Sequence, residues 1–414
     1  MKTWKTALLC SIGSGLEYYD FVIYIMLAPF LTEIFFPAKD KSLNLILILG
    51  IFAAAYVVRP LGGILFGHFA DCYGRKKAFL TSILLMSIST FAIGLLPPFK
   101  MVGMVSPILL VAMRLLQGLS QGAEIPGAIT FLSEHAHAQK RGKYLGLLMS
   151  GIAVGAVLSS WVNLGLAKHF TEHQILAYAW RIPFLLGGLL AIVGYILRRK
   201  AVETALFTSQ PPAVHMPIAE LFRKHKLALL QCIGIILFPA CLIISALFFP
   251  VYLNHYFAYH LADIYSAMTI SLIGSVIMLL VFGYLSDYVG RKFLMITASL
   301  VAILFLSLLF KMLLLGTFHS LLAFMILYQM LISCLIASYP SMLAEIFVTK
   351  IRYTGVAVSY NFSYTIAAFF PMFLSILINH TQRAMLVSTV LSGLAALSFI
   401  ILIFTRDRTG KSLI

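Results

Sequence analysis

The chain has 414 residues, of which 61% are hydrophobic and 11% charged, and its mean hydropathy is +0.99. Soluble proteins carry about 25% charged residues, so the composition excludes a water-soluble domain and places most of the chain in lipid. The formal net charge of +16 invites a nucleic-acid reading, but in a membrane protein the positions of the basic residues matter more than their sum. Five cysteines without CxxC spacing suggest neither a disulfide framework nor a metal site.

Lys2 and Lys5 precede an apolar run, as in a signal peptide. The run continues to about Phe36 with no small-residue cleavage site near residue 25, so it is read as a retained first span. A spanning helix needs about 20 apolar residues, and twelve such stretches follow one another. They lie near 6–36, 43–66, 78–97, 103–133, 143–167, 178–197, 227–254, 263–285, 293–315, 320–346, 354–379 and 384–405. The first, fourth, seventh and tenth are long enough to tilt, kink or project beyond the bilayer, with Pro126, Pro239 and Pro340 as kink points.

Two spans carry several polar or ionisable groups on one face. In the first, Glu17, Asp20 and Tyr24 stand at i, i+3 and i+7, one helix face. Two carboxylates so close inside a bundle repel, and burial disfavours charge, so one of them is suited to take up a proton near neutrality. In the fourth, Arg114, Gln117, Gln121 and Glu124 fall within an arc of roughly 80°. A charge facing lipid costs about 2.5–3.5 kcal/mol or more, so this stripe must face a bundle interior or a wet cavity. Gly118 with Gly122, and Gly151 with Gly155, have the small-xxx-small spacing of closely packed helices. Later spans hold Tyr328, Gln329, Tyr339, Tyr360, Asn361 and Tyr364 in apolar surroundings, where some line a cavity. His135 and His137 form an HxH too slight for a metal site. No Walker loop, HExxH or GxSxG is present, so ATP-driven transport and hydrolysis have no support and the chain is not read as an enzyme.

With the N-terminus in the cytoplasm, 21 of the 30 Lys and Arg residues fall on cytoplasmic segments and 6 on outer ones. That bias sets both termini inside and accounts for the net charge without a nucleic-acid partner. The longest polar segment, 198–226, holds Pro211, Pro212 and Pro217 and reads as a cytoplasmic linker between six-helix bundles at 1–197 and 227–414.

The halves are related. Gly67-His-Phe-Ala-Asp71-Cys-Tyr-Gly74-Arg75-Lys76 recurs as Gly283-Tyr-Leu-Ser-Asp287-Tyr-Val-Gly290-Arg291-Lys292, with five identities at an offset of 216. Leu132-Ser-Glu134 with Arg141 recurs as Leu343-Ala-Glu345 with Arg352, at an offset of 211. Repeated halves with a ligand site between them are a common transporter plan. Gly67, Asp71, Gly74, Arg75, Glu134, Arg141, Asp287, Arg291, Glu345 and Arg352 are therefore candidate gating residues, able to hold one arrangement of the bundles and release in another.

The Gly67–Lys76 loop resembles the signature loop of the major facilitator superfamily. Glu17-Tyr-Tyr-Asp20-Phe21, Arg114-Leu-Leu-Gln117-Gly118 with Gly122-Ala-Glu124, Trp180-Arg-Ile-Pro-Phe184, and Arg352-Tyr-Thr-Gly355 with Tyr360-Asn361 are similar to its metabolite:proton symporter branch. The matches run from residue 17 to about 371. Ala123 stands where the branch has a second Gly, and Cys72 where the signature loop has Arg, which puts one gating charge pair in question. The chain ends soon after the twelfth span, without the long coiled coil of osmosensing members, so osmotic control by that device is not expected.

The resemblance implies an all-α integral membrane protein, twelve helices in two pseudo-symmetric bundles, in a bacterial inner membrane. It implies proton-coupled import of a small carboxylate-bearing metabolite or zwitterionic osmolyte such as proline or betaine, driven by the proton gradient with no cofactor. On this reading Asp20, Glu17 and Glu124 serve proton coupling, and Arg114, Gln117, Gln121, Tyr24, Tyr360 and Asn361 serve substrate binding. An exchanger or uncoupled facilitator of organic anions on the same fold, and a polytopic membrane sensor, are the alternatives.

Overall fold

The computed structural model describes residues 3–36, 41–73, 75–199, 217–381 and 383–413, with the side chains of 3, 6, 41–45, 67–80, 191, 193–199, 217–219 and 350 outside that description. It is helical throughout, with no strand among the described residues. Twelve spans are formed, as the hydropathy expects: Thr3–Met26 with Ala28–Phe35, Lys41–Tyr73, Arg75–Leu95, Val105–Gln121 with Glu124–His135, Arg141–His169, Arg181–Arg199, Lys226–Phe257, Leu261–Val289, Arg291–Lys311, Phe318–Ile346, Arg352–Ala368 with Phe370–Thr381, and Leu386–Phe404. Most of the 198–226 segment lies outside the described residues, but its end forms a short helix, Pro217–Lys224.

Helix pairing repeats between the halves. The first span packs on the fifth as the seventh packs on the eleventh. The other intra-half pairs correspond likewise: 3 with 6 and 9 with 12, 2 with 4 and 8 with 10, 3 with 4 and 9 with 10. The halves meet along two seams, the fifth span against the eighth and the eleventh against the second, which the same symmetry exchanges.

Glycine permits these approaches. A Cβ at Gly118 would lie 1.9 Å from the Ala55 carbonyl oxygen, and one at Gly122 as close to that of Arg59, so spans 2 and 4 are in backbone contact. At the seam between the halves a Cβ at Gly146 would lie 2.8 Å from the Gly283 Cα. Close backbone contact substitutes here for the hydrophobic drive that lipid removes.

Three spans are broken, and a proline stands at each break. Pro126 follows Gly122 by four, where its ring collides with the carbonyl of the preceding turn, and the fourth span is interrupted between Gln121 and Glu124. The first span bends by 61° before Pro29, and the eleventh breaks before Pro371. Pro239 and Pro340, also expected as kink points, lie inside helices that run on without interruption.

Candidate functional site

Polar and ionisable groups gather at three levels. The first is the interior of the N-terminal bundle. Asp20 is fully buried, and neither carboxylate oxygen has a hydrogen-bond partner among the described residues. It points at the third and sixth spans: a Cβ at Gly187 would lie 2.4 Å from its Oδ1 and 3.0 Å from the Thr90 methyl. Thr90 Oγ1 accepts from Gln117 Nε2 (2.8 Å), and Gln117 Oε1 accepts from Arg114 Nη1 (2.7 Å). The same Arg114 nitrogen reaches the Phe21 carbonyl oxygen (3.4 Å), the residue beside Asp20. The Arg114 guanidinium lies over the rings of Tyr24 (4.2 Å) and Phe21 (4.7 Å), while Nε and Nη2 have no hydrogen-bond partner. No salt bridge joins Asp20 to Arg114. Tyr24 donates to the Ile48 carbonyl oxygen, so its hydroxyl is tied to the second span.

Glu17, Gln121 and Glu124 are buried nearby. Ser14 Oγ donates to Glu124 Oε1 (3.3 Å), joining the first and fourth spans. The break in the fourth span frees the Gly122 carbonyl oxygen, which accepts from Asn361 Nδ2 of the eleventh span (2.7 Å). Asn361 thus bridges the halves.

The second level is a cavity of about 70 Å³ between the halves, lined by Tyr18, Ile125, Met149, Gln329, Ser333, Tyr339, Tyr360 and Tyr364 among others. Tyr339 and Tyr364 hydroxyls lie 3.4 Å apart, and the Tyr360 and Tyr364 rings stack at 4.5 Å. The charged residues of the fourth span do not line it. Asp20 of the first span does not line it either: Tyr18 and Asp20 are two residues, about 200°, apart, so when Tyr18 faces the cavity Asp20 faces into its own bundle. Of the residues proposed from sequence for substrate contact, Tyr360 lines the cavity, while Arg114, Gln117, Gln121, Tyr24 and Asn361 lie behind its wall.

Arg59 and Tyr18 are not among the site residues expected from the sequence. Arg59 is 2% exposed and lies among four rings, Tyr56 (4.7 Å), Phe21 (5.4 Å), and Tyr360 and Tyr364 (5.8 Å each). Its signal was available: it is the one charge in the apolar run 43–66.

The third level is the end of the bundles that carries the repeated loops. Glu345 of the tenth span pairs with Arg141 of the fifth and with Arg291 of the ninth, all three buried. Arg352 pairs with Glu134 across the halves (2.9 Å). Arg141 Nε also donates to the Ser133 carbonyl oxygen and Arg352 Nε to that of Ala344, the same eight-residue reach in each half. Asp287 accepts from the backbone N–H groups of Gly142 (2.8 Å) and Lys143 (2.9 Å) and pairs with Arg291 (2.9 Å), so it caps the start of the fifth span. Of the first loop copy, Gly74 lies outside the described residues, as do the side chains of Asp71 and Arg75 and the surroundings of Gly67.

The opposite end is closed by contacts too. Phe30 N–H turns to Leu27 O at the bend of the first span, freeing the Met26 carbonyl oxygen, which accepts from the Tyr265 hydroxyl of the eighth span. Ser160 and Thr269 hydroxyls meet at 2.9 Å in the same seam. The molecule is held shut at both ends around a small chamber.

Two repeated bundles that clasp a chamber and carry interchangeable latches are the build of a secondary transporter. Residues 6–210 match the family model described as "Sugar (and other) transporter", and residues 231–414 that of the "Major Facilitator Superfamily". The "Proline/betaine transporter" of Salmonella typhimurium is 30% identical over 427 residues, covering 100% of this chain and 85% of that protein. The "Glycine betaine/proline/ectoine/pipecolic acid transporter OusA" of Dickeya dadantii is 30% identical over 441 residues, covering 99% and 84%. Among solved structures, the proton:xylose symporter XylE superposes with a TM-score of 0.79 at 18% identity, covering 99% of this chain and 97% of that one. The human organic anion transporter MFSD10 gives 0.77 at 15% identity, covering 97% and 100%. The chain belongs to the major facilitator superfamily; it is a multi-pass membrane transporter of small molecules and not an enzyme.

Proposed function

We propose that the protein imports a small carboxylate-bearing zwitterion, of the proline and betaine class, together with protons. It works by alternating access in a bacterial cytoplasmic membrane with both termini inside. The proton gradient drives it, without a bound cofactor, and the moving bodies are 1–197 and 227–414, joined by the 198–226 linker. The observation that carries this reading is Asp20: a carboxylate with no exposure and no partner, in the same interior as an arginine that keeps two guanidinium nitrogens unbonded. An ionisable group so placed is a candidate proton carrier.

The chamber's size supports alternating access. About 70 Å³ is roughly half the volume that admits a benzene-sized guest, so an osmolyte enters only when one latch opens. Protonated Asp20 removes one buried charge and lowers the cost of closing the bundle; deprotonated Asp20 leaves Arg114 as its natural counter-ion. Ligand and proton thus bias the same two-state equilibrium. Glu17 and Glu124, buried beside this pair, extend the path for the proton. Gln117 and Tyr24 hold Arg114 in position. Gln121 and Asn361 flank the break in the fourth span, and Tyr360 presents its ring to the substrate.

The substrate class is supported by the relatives' names and by the pairing of a buried cation with a tyrosine-lined chamber. The test is uptake of labelled proline and glycine betaine by proteoliposomes with external pH recorded. The expected result is uptake with external alkalinisation. Uptake without it would mean exchange or facilitated diffusion.

A further inference from the structure

We infer that Arg59 is the substrate's carboxylate anchor and that Tyr360 and Tyr364 form the seat for its alkylated ammonium group. This assignment rests on the transport reading above and gives that substrate class a binding site.

Three observations converge. Arg59 is 2% exposed, and its Nε and Nη2 have no hydrogen-bond partner among the described residues. A buried guanidinium with open donors is a costly arrangement unless something completes it. Second, its position is central: the Tyr56 and Phe21 rings that flank it belong to the first half, and the Tyr360 and Tyr364 rings to the second. The Tyr56 and Tyr364 rings are near parallel across that junction, with centroids 6.3 Å apart. Third, Tyr360 and Tyr364 line the chamber together with Tyr18 and Tyr339, and Arg59 stands directly behind their rings. Tyrosine faces that already hold a guanidinium at 5.8 Å are suited to a quaternary ammonium, which such rings attract through their quadrupole.

The chemistry of the box selects its ligand. The planar fork of an arginine matches a carboxylate by two parallel hydrogen bonds. A methylated ammonium donates no hydrogen bond and needs none, so rings serve it better than acids. A zwitterion with carboxylate and quaternary ammonium separated by one carbon bridges the two. Because the rings come from both halves, such a ligand ties the second span to the eleventh as it binds. A lone trimethylammonium alcohol satisfies the rings and leaves the arginine open.

The experiment uses the full-length protein in proteoliposomes and detergent, with glycine betaine and choline as probes. The wild-type protein is expected to bind glycine betaine and to discriminate against choline by about 100-fold, the scale of an unpaired buried charge. Arg59→Gln is expected to lose that discrimination by weakening glycine betaine about 100-fold while choline changes little. Tyr364→Phe keeps the ring and is expected to bind as wild type; Tyr364→Leu is expected to lose about tenfold for both probes. If Arg59→Gln does not fold, the wild-type protein still decides: glycine betaine should protect Arg59 from phenylglyoxal, read by mass spectrometry of its peptide, and choline should not. Unaltered binding in a folded Arg59→Gln protein, or modification of Arg59 undiminished by saturating glycine betaine, overturns the anchor and leaves the transport reading standing. Failure of the wild-type protein to bind glycine betaine or proline overturns both.

Discussion

The seam at the end that carries the repeated loops and the interior of the first bundle treat charge in opposite ways. At the seam every described arginine has a carboxylate: Glu345 serves Arg141 and Arg291, Asp287 serves Arg291, and Glu134 serves Arg352. At mid-depth Asp20 has no partner and Arg114 is held by a glutamine, a carbonyl and aromatic faces. Both sets are buried, so burial alone does not explain the difference. Paired charges are satisfied in this closed state and resist its opening. Unpaired charges are satisfied by a proton or a ligand arriving from outside. The contrast separates latch from engine, and substitutions can be ranked by which side of it they strike.

The largest effect falls on the unpaired side. Asp20→Asn mimics a permanently protonated acid and should end accumulation against a gradient while leaving exchange intact. Each coupled charge is worth about 2.3 kcal/mol at 100 mV, so the steady-state accumulation ratio should fall by about 50-fold. Proton-driven uptake by Asp20→Asn at the wild-type level would remove Asp20 from the mechanism and erase the contrast.

Glu345→Gln strikes the latch at its most buried point. It leaves Arg141 without a carboxylate and Arg291 with Asp287 alone, at 2% and 1% exposure. Removing one partner of a buried pair costs about 3–5 kcal/mol, charged here against the cytoplasm-closed state. A cysteine placed at Ser150, buried in the seam where its hydroxyl now meets the Val276 carbonyl oxygen, should become reactive to a maleimide from the cytoplasmic side, in a background with the native cysteines replaced. Unchanged protection would mean that the glycine contacts, not the ion pairs, hold the seam.

Tyr265→Phe is the outer counterpart and a milder one. It removes a neutral hydrogen bond to the Met26 carbonyl oxygen, worth about 1 kcal/mol. Opening toward the outside should become easier, read as an increase of a fewfold in labelling from the external face. A larger increase would make this bond the principal outer latch.

These levels were not equally legible in the sequence. Spans and repeat were readable because lipid forces long apolar runs and the two halves carry the same motifs at the same places. The stripe of Arg114, Gln117, Gln121 and Glu124 was readable because period 3.6 puts it on one face. What periodicity does not give is which way that face turns. The fourth span turns its stripe toward its own bundle, and the first span turns Tyr18, not Asp20, to the chamber. The breaks before Pro29 and Pro371 carried a signal, a proline at the second residue of the next helical segment. Arg59 was visible as a lone charge with Tyr56 one turn away, but its other three rings come from the first and eleventh spans, and only the fold assembles them.

The smallest effect tests the symmetry itself. Glu134 and Glu345 occupy equivalent places in the repeat, and each pairs with the arginine of the opposite half. Sequence alone therefore expects equal worth. Burial separates them: Glu345 is 4% exposed and Glu134 38%. Water screens the exposed pair, and such pairs contribute about 0–1 kcal/mol. Arg352 also keeps the Ala344 carbonyl oxygen and Thr349 Oγ1 as acceptors when Glu134 is lost, whereas Glu345 is the shared acid of two arginines. Glu134→Gln should therefore raise cytoplasmic labelling of the Ser150 cysteine by no more than about fivefold, and added salt should shrink that further. Equal effects from Glu134→Gln and Glu345→Gln would show that sequence position, not local burial, sets the strength of each latch, and the division drawn between paired and unpaired charge would lose its energetic basis.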